Sequence, residues 1–130
     1  MMIEWSDSYL VGDEKIDTQH QHLFALANQV FVSETQAALR MCFVQLYKYV
    51  REHFADEEAL MLEVGFPVYR EHADLHDALL ARLNAMSVKI GRSEWNQLEV
   101  HAFMEHWLLN HILQEDTRLA QYASQRAAHA

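Results

Sequence analysis

Apolar residues recur at helical spacing along most of the chain, in four blocks separated by short polar or glycine-containing breaks. In the first block His20, Leu23, Phe24, Ala27 and Phe31 fall at i, i+3, i+4, i+7 and i+11, one face of a helix. It opens at Asp17 or Thr18, either of which suits an N-cap, and ends at a break over residues 33–35. A second helix is predicted over residues 35–63 from Leu39, Phe43, Leu46, Val50, His53, Glu57, Leu60 and Met61, with Gly65 as its stop. Pro67 suits the first turn of a third helix running to about residue 90, before Gly91. Its inner stripe is Tyr69, His72, His76, Leu79, Leu80, Leu83 and Met86. Ser93 is the expected N-cap of a fourth helix that reaches about residue 122, with Val100, Met104, Trp107, Leu108 and His111 inward and Trp95 packed at its start.

Residues 1–17 keep no sustained period and read as an irregular arm pinned to the body by Trp5. Residues 123–130, His129 among them, read as a frayed tail. Short breaks make neighbouring helices antiparallel, so the expectation is all-α: an up-down-up-down antiparallel four-helix bundle over residues 18–122 of a single 1–130 domain. No internal repeat or strand-pairing signal competes with it.

Composition narrows the function classes. Half the 130 residues are apolar (51%), enough for one core. A net charge of −9 without a basic, aromatic-laced cluster argues against nucleic acid. Every apolar run is too short for the ~20 residues that span a bilayer. Cys42 is single, so no internal disulfide forms, and it is read as a small buried hydrophobe. Without an apolar leader the expected location is cytoplasmic.

The chemistry concentrates between His53 and His76. Residues four apart on a helix sit one turn above each other, so His53 with Glu57 and His72 with His76 each offer two ligand side chains on one face. Histidine with carboxylate and no cysteine suits iron, manganese or zinc better than a soft-metal site. Four such donors suffice for one ion. Glu57 shares the inner stripe, where a carboxylate is costly unless paired or metal-bound. Glu58, about 100° further round, reads as a solvated surface acid, though a slip of one residue would exchange the two. His20 alone would more often be a satisfied core histidine; in this company it joins the candidates. His22 should point outward, and His101 and His106 fall off the centre of their stripe. In His111-Ile-Leu-Gln-Glu-Asp116 the two ends are five apart, about 140° on an ideal helix. Asp116 would then enter from a flank, a spacing odd for packing and sensible for a bridge between two ions.

Taken together, IDTQH ending in His20, HFADEEALM with His53 and Glu57, FPVYREHADLH with His72 and His76, and WLLNHILQED with His111 and Asp116 resemble the hemerythrin family, in its single-domain bacterial form. The resemblance covers the arm and all four helices; Leu75 stands where the family often has Glu. It implies two non-heme iron ions with a bridging oxo or hydroxo group. His72, His76 and His111 would hold one ion, His20 and His53 the other, and Glu57 and Asp116 would bridge. It further implies reversible O2 binding at the iron with fewer histidines, for transport, storage, delivery or sensing, and not an enzyme. Leu23, Phe24, Leu79, Met104 and Leu108 are the expected wall of a dry O2 pocket. The expected partner is O2, with neither nucleic acid nor membrane insertion; the chain is expected to be a monomer, and an oxygen-consuming enzyme could draw on it.

Two other classes compete. A di-iron oxidase, peroxidase or nitric-oxide-handling enzyme would use the same metals, but the ferritin-like enzymes build their sites from Glu-x-x-His pairs and more glutamate. Iron storage or sensing would fit the metal without needing two unequal ions. A purely structural polar core would bury five histidines and two carboxylates at heavy desolvation cost.

Overall fold

The computed structural model describes residues 3–128. Four helical rods form an up-down-up-down antiparallel bundle, with no strand among the described residues. The first three are α1 Glu14–Val32, α2 Gln36–Val64 and α3 Tyr69–Gly91. The fourth is compound: α4 Gln97–Asn110, a π-helical turn His111–Asp116, and α5 Thr117–Ala128. A 3-10 turn, Asp7–Tyr9, precedes α1.

Helix α1 starts earlier than its apolar stripe suggests, because Asp13 is the cap and accepts from Ile16 N at 3.0 Å. Asp17, an expected cap, is buried in the first turn. Its carboxylate folds back on the arm and accepts from Val11 N at 2.7 Å and Gly12 N at 3.2 Å. Gly12 takes φ +90° there, a backbone that favours glycine. Trp5 pins the arm as expected, edge-on to Phe24 with ring centroids 5.2 Å apart.

Thr35 caps α2, and Gly65 ends it in the left-handed conformation. Helix α3 begins at Tyr69, two residues past Pro67. Ser93 caps nothing: it sits at φ 60° and donates its hydroxyl to Gln36 Oε1 at 2.7 Å, while Asn96 caps α4 by accepting from Glu99 N at 2.8 Å. The last rod continues past residue 122 to Ala128 as helix. The Tyr122 hydroxyl donates to Gly65 O at 2.9 Å, which ties this rod to the α2–α3 turn. His129 lies outside the described residues.

The apolar core is divided in two. The larger part runs from Leu23 and Phe24 through Phe43, Leu46, Leu83, Ile90 and Val100 to Leu108; the smaller comprises Met61, Phe66 and Leu119. Along α2 these parts are separated by His53 and Glu57, and along the fourth rod by His111 and Asp116. A polar layer thus crosses one end of the bundle between two apolar plugs. Cys42 is half-buried, with its Sγ 3.4 Å from Ser33 Oγ. No helix among the described residues is long and apolar enough to cross a membrane.

Candidate metal centre

Each rod contributes to the polar layer from the end the antiparallel topology brings there: α1 near its start, α2 near its end, α3 at its start and the fourth rod past its middle. His20, His53, Glu57, His72, His76, His111 and Asp116 are all buried, both carboxylates at 0% exposure. On α2 and α3 the four-residue spacing places His53 over Glu57 and His72 beside His76, as the helical period requires. The fourth rod departs from the ideal. A π turn closes i→i+5 and holds an extra residue, and His111–Asp116 is such a turn. The two side chains therefore meet, His111 Nε2 at 3.2 Å from Asp116 Oδ2. The expectation that Asp116 enters from a flank is overturned, because it assumed a constant 100° per residue.

Glu57 is the centre of the layer. Its Oε1 lies 2.7 Å from His72 Nε2 and 3.1 Å from His76 Nε2, while its Oε2 lies 3.3 Å from His53 Nε2 and 3.6 Å from His20 Nε2. Asp116 repeats the division, with Oδ1 3.5 Å from His72 and Oδ2 2.8 Å from His20. Each carboxylate thus turns one oxygen to the α3 histidines and the other to His20. Two overlapping donor groups result: His20, His53, Glu57, His111 and Asp116 in one, His72, His76 and His111 in the other.

Whether these residues suit a metal can be tested on their hydrogen bonding. His20 Nδ1 and Nε2, His53 Nε2, Glu57 Oε2, both ring nitrogens of His111 and both oxygens of Asp116 are buried with no hydrogen-bond partner. Several of these atoms approach one another closely, as His20 and Asp116 do at 2.8 Å, but not along hydrogen-bonding directions. Buried polar groups are ordinarily paired, and the Nε2 and carboxylate oxygen atoms left over here face one another in one place, as donors to a cation would. The residues fit a metal.

The electrostatics agree. Burial alone would lower His20 and His72, but contact with Asp116 and Glu57 outweighs it and raises them to about 9 and about 10. Burial would raise Glu57, yet the histidines around it hold it well below the carboxylate range. Asp116 is also lowered, against burial and the repulsion of Glu57, chiefly by His111. His53 is lowered by burial. Without metal, two protonated imidazoles neutralise two carboxylates; cations at the same place would replace those protons.

Sequence reasoning missed the contacts behind the ring. Glu58, read as a solvated acid, is half-buried with Oε2 3.0 Å from His76 Nδ1. Gln19 Oε1 lies 2.9 Å from His53 Nδ1, and Gln19 Nε2 donates to Asp56 Oδ2 at 2.7 Å, with Lys15 3.3 Å from Asp56. The available signal was adjacency: Gln19 and Glu58 each neighbour a candidate ligand in sequence. Phe54 was also missed; its ring stacks on His76 at 3.8 Å. His22 and His106 are exposed, and half-buried His101 lies edge-on to Phe31, away from the layer. Leu23, Phe24, Leu79, Met104 and Leu108 are all buried in the larger core part.

The hemerythrin HHE cation binding domain matches residues 11–123. The chain belongs to the hemerythrin family. Among curated hemerythrin relatives, the bacteriohemerythrin of Stenotrophomonas maltophilia (strain R551-3) is 30% identical, over 98% of this chain and 84% of that protein. The myohemerythrin of Riftia pachyptila is 31% identical, over 83% of this chain and 82% of that one. A crystal structure of wild-type hemerythrin superposes with a TM-score of 0.82 over 95% of this chain and 99% of that chain, at 24% identity, which is a likeness of fold.

Proposed function

We propose that the chain binds O2 reversibly at a di-iron centre. In this reading His72, His76 and His111 hold one iron, His20 and His53 hold the other, and Glu57 and Asp116 span both. The observation that carries it is the pair of buried carboxylates, each with its two oxygens turned to different histidines. His111 belongs to both donor groups; counted with His72 and His76 it would give three imidazoles there and two on the other side, one protein donor fewer, where a small neutral ligand could bind. Bound there, the iron pair supplies a reversible source of two electrons for O2.

The chain's own contribution is to keep that exchange clean. Leu23 and Phe24 follow His20 by three and four residues, Leu79 follows His76 by three, and Leu108 precedes His111 by three, with Met104 a turn beyond. Each stands one or two helical turns from a ligand, on the core side. This apolar wall would keep water and acids away from a ligand bound there.

The test is iron per chain together with the visible spectrum, taken anaerobic and reduced, then in O2, then after its removal. Two irons, with colour that appears in O2 and bleaches on removal, would bear the proposal out. Oxidation that reverses only on adding reductant would refute it in favour of an enzyme or sensor.

A further inference from the structure

We infer that Glu58 is a positioning residue that tunes the iron of the three-histidine side through His76, and that the two sides of the centre are made electronically unequal from outside as well as by ligand count. The inference rests on the di-iron reading above. His76 Nδ1 lies 3.0 Å from Glu58 Oε2, and its Nε2 faces the centre 3.1 Å from Glu57 Oε1. With Nδ1–H donating outward, the Nε2 lone pair is left for metal and the tautomer is fixed. A carboxylate acceptor at Nδ1–H, unlike a neutral amide, polarises the ring and makes Nε2 the stronger donor.

His53, on the other side, meets a different group. Its Nδ1 faces the neutral amide oxygen of Gln19 at 2.9 Å. The nearest carboxylate in that direction, Asp56, stands one residue further out and is paired with Lys15. His20 and His111 have no partner on Nδ1 at all. Among these four imidazoles only His76 is backed directly by a carboxylate.

The contact is set by more than Glu58 itself. Phe54 stacks on the His76 ring with an interplanar angle of 2°, which holds the ring plane independently of the hydrogen bond. Glu58 is reached from solvent: its side chain is 29% exposed and lines a cleft of about 400 Å3 between α2 and α3 with Arg51, Tyr69 and Asp77. Charge at this point is therefore open to change without dismantling the buried layer.

The experiment compares the full chain with Glu58→Gln, which keeps an acceptor oxygen but removes the charge, and Glu58→Ala, which removes both. Helicity by circular dichroism checks folding. Zn(II) affinity is measured by chelator competition, the His76 ring nitrogens by NMR of the zinc-loaded protein, and the midpoint potential on the iron-loaded protein. Glu58→Gln is expected to keep two ions per chain but bind Zn(II) about 10–100-fold more weakly. Its His76 Nδ1–H signal should shift, and its potential should rise by about 59 mV for each tenfold loss of preference for the oxidised ion. If Glu58→Gln matches the wild type in affinity, ring signal and potential, and only Glu58→Ala is impaired, Glu58 merely orients the ring and the inference is overturned. A wild-type chain that does not take up two ions would overturn the di-iron reading, and this one with it.

Discussion

Removing Glu57 tests the centre where its geometry is most committed. Five imidazole Nε2 atoms lie between 2.7 and 3.9 Å from its two oxygens, and the side chain is fully buried. Loss of even an outer partner of a metal ligand costs about 10–100-fold in metal affinity, and loss of a carboxylate that itself faces both histidine groups should cost at least that. Because Oε1 and Oε2 face different histidines, Glu57→Ala should weaken both ions together and not one selectively. The assay is a metal titration against a competing chelator, with ions per chain counted after gel filtration. Metal-free Glu57→Ala should remain helical, since the apolar plugs on either side of the layer are untouched. Its His20 and His72 should bind protons less tightly, having lost the carboxylate that raises them. A variant that loads two ions with unchanged affinity would refute the bridging role, and one that loses a single ion cleanly would make Glu57 a ligand to one metal only.

Metal removal should expose a pH dependence of stability. His20 and His72 are raised to about 9 and about 10 from 6.5, so their stabilisation is complete below about pH 6.5 and is lost as pH rises through 9 to 10. His53, held below 6.5, adds nothing to that slope, and the lowered Glu57 and Asp116 are lost only as pH falls below the carboxylate range. Urea midpoints of chelator-treated protein should therefore fall between about pH 7 and 10; a flat profile there would contradict the charge pairing. Phe54→Ala removes a buried ring that stacks on His76 and should cost about 3–5 kcal/mol, read as a lowered denaturation midpoint; a loss below about 1 kcal/mol would show that the ring is not a packing element. His22→Ala should leave metal content unchanged, because His22 is exposed and packs on Tyr49; losing an ion would place it in the centre after all.

The rods and six of the seven inward residues were legible because both follow from a single period; the burial of Asp116 does not. His53, Glu57, His72 and His76 fall on stripes otherwise made of Leu, Val and Phe, and burial of that stripe carried them to the same layer. Helix starts were less legible, since several residues compete to cap. Asp13 and Asp17 both offer a carboxylate near the start of α1; which one caps depends on the arm's N–H groups at Val11 and Gly12, and these come to Asp17 only after the chain turns at Gly12. Ser93 lost to Asn96 for a related reason, as its hydroxyl is taken by Gln36 from another part of the chain. Glu58 and Gln19 escaped the helical period because they act on the rings of His76 and His53 on other helices, and a period describes only one helix at a time.

The π turn is the instructive failure. Counted at 100° per residue, Asp116 falls about 140° from His111 and off the stripe that Met104, Leu108 and His111 define, whereas Leu119, eleven residues from Leu108, stays on it. If one residue between His111 and Asp116 is counted out, Asp116 stands four from His111 and returns to it, while Leu119, then seven from His111, remains on it. Leu119 is indeed buried, packed with Met61 and Phe66 beyond the layer. The slip therefore shows in the sequence at Asp116 alone, a carboxylate one residue out of step with His111. A helix absorbs such an extra residue only at the expense of regular hydrogen bonding, and π turns are frequent at functional sites. A one-residue slip that coincides with a candidate ligand reads better as a local π turn than as a ligand approaching from the side.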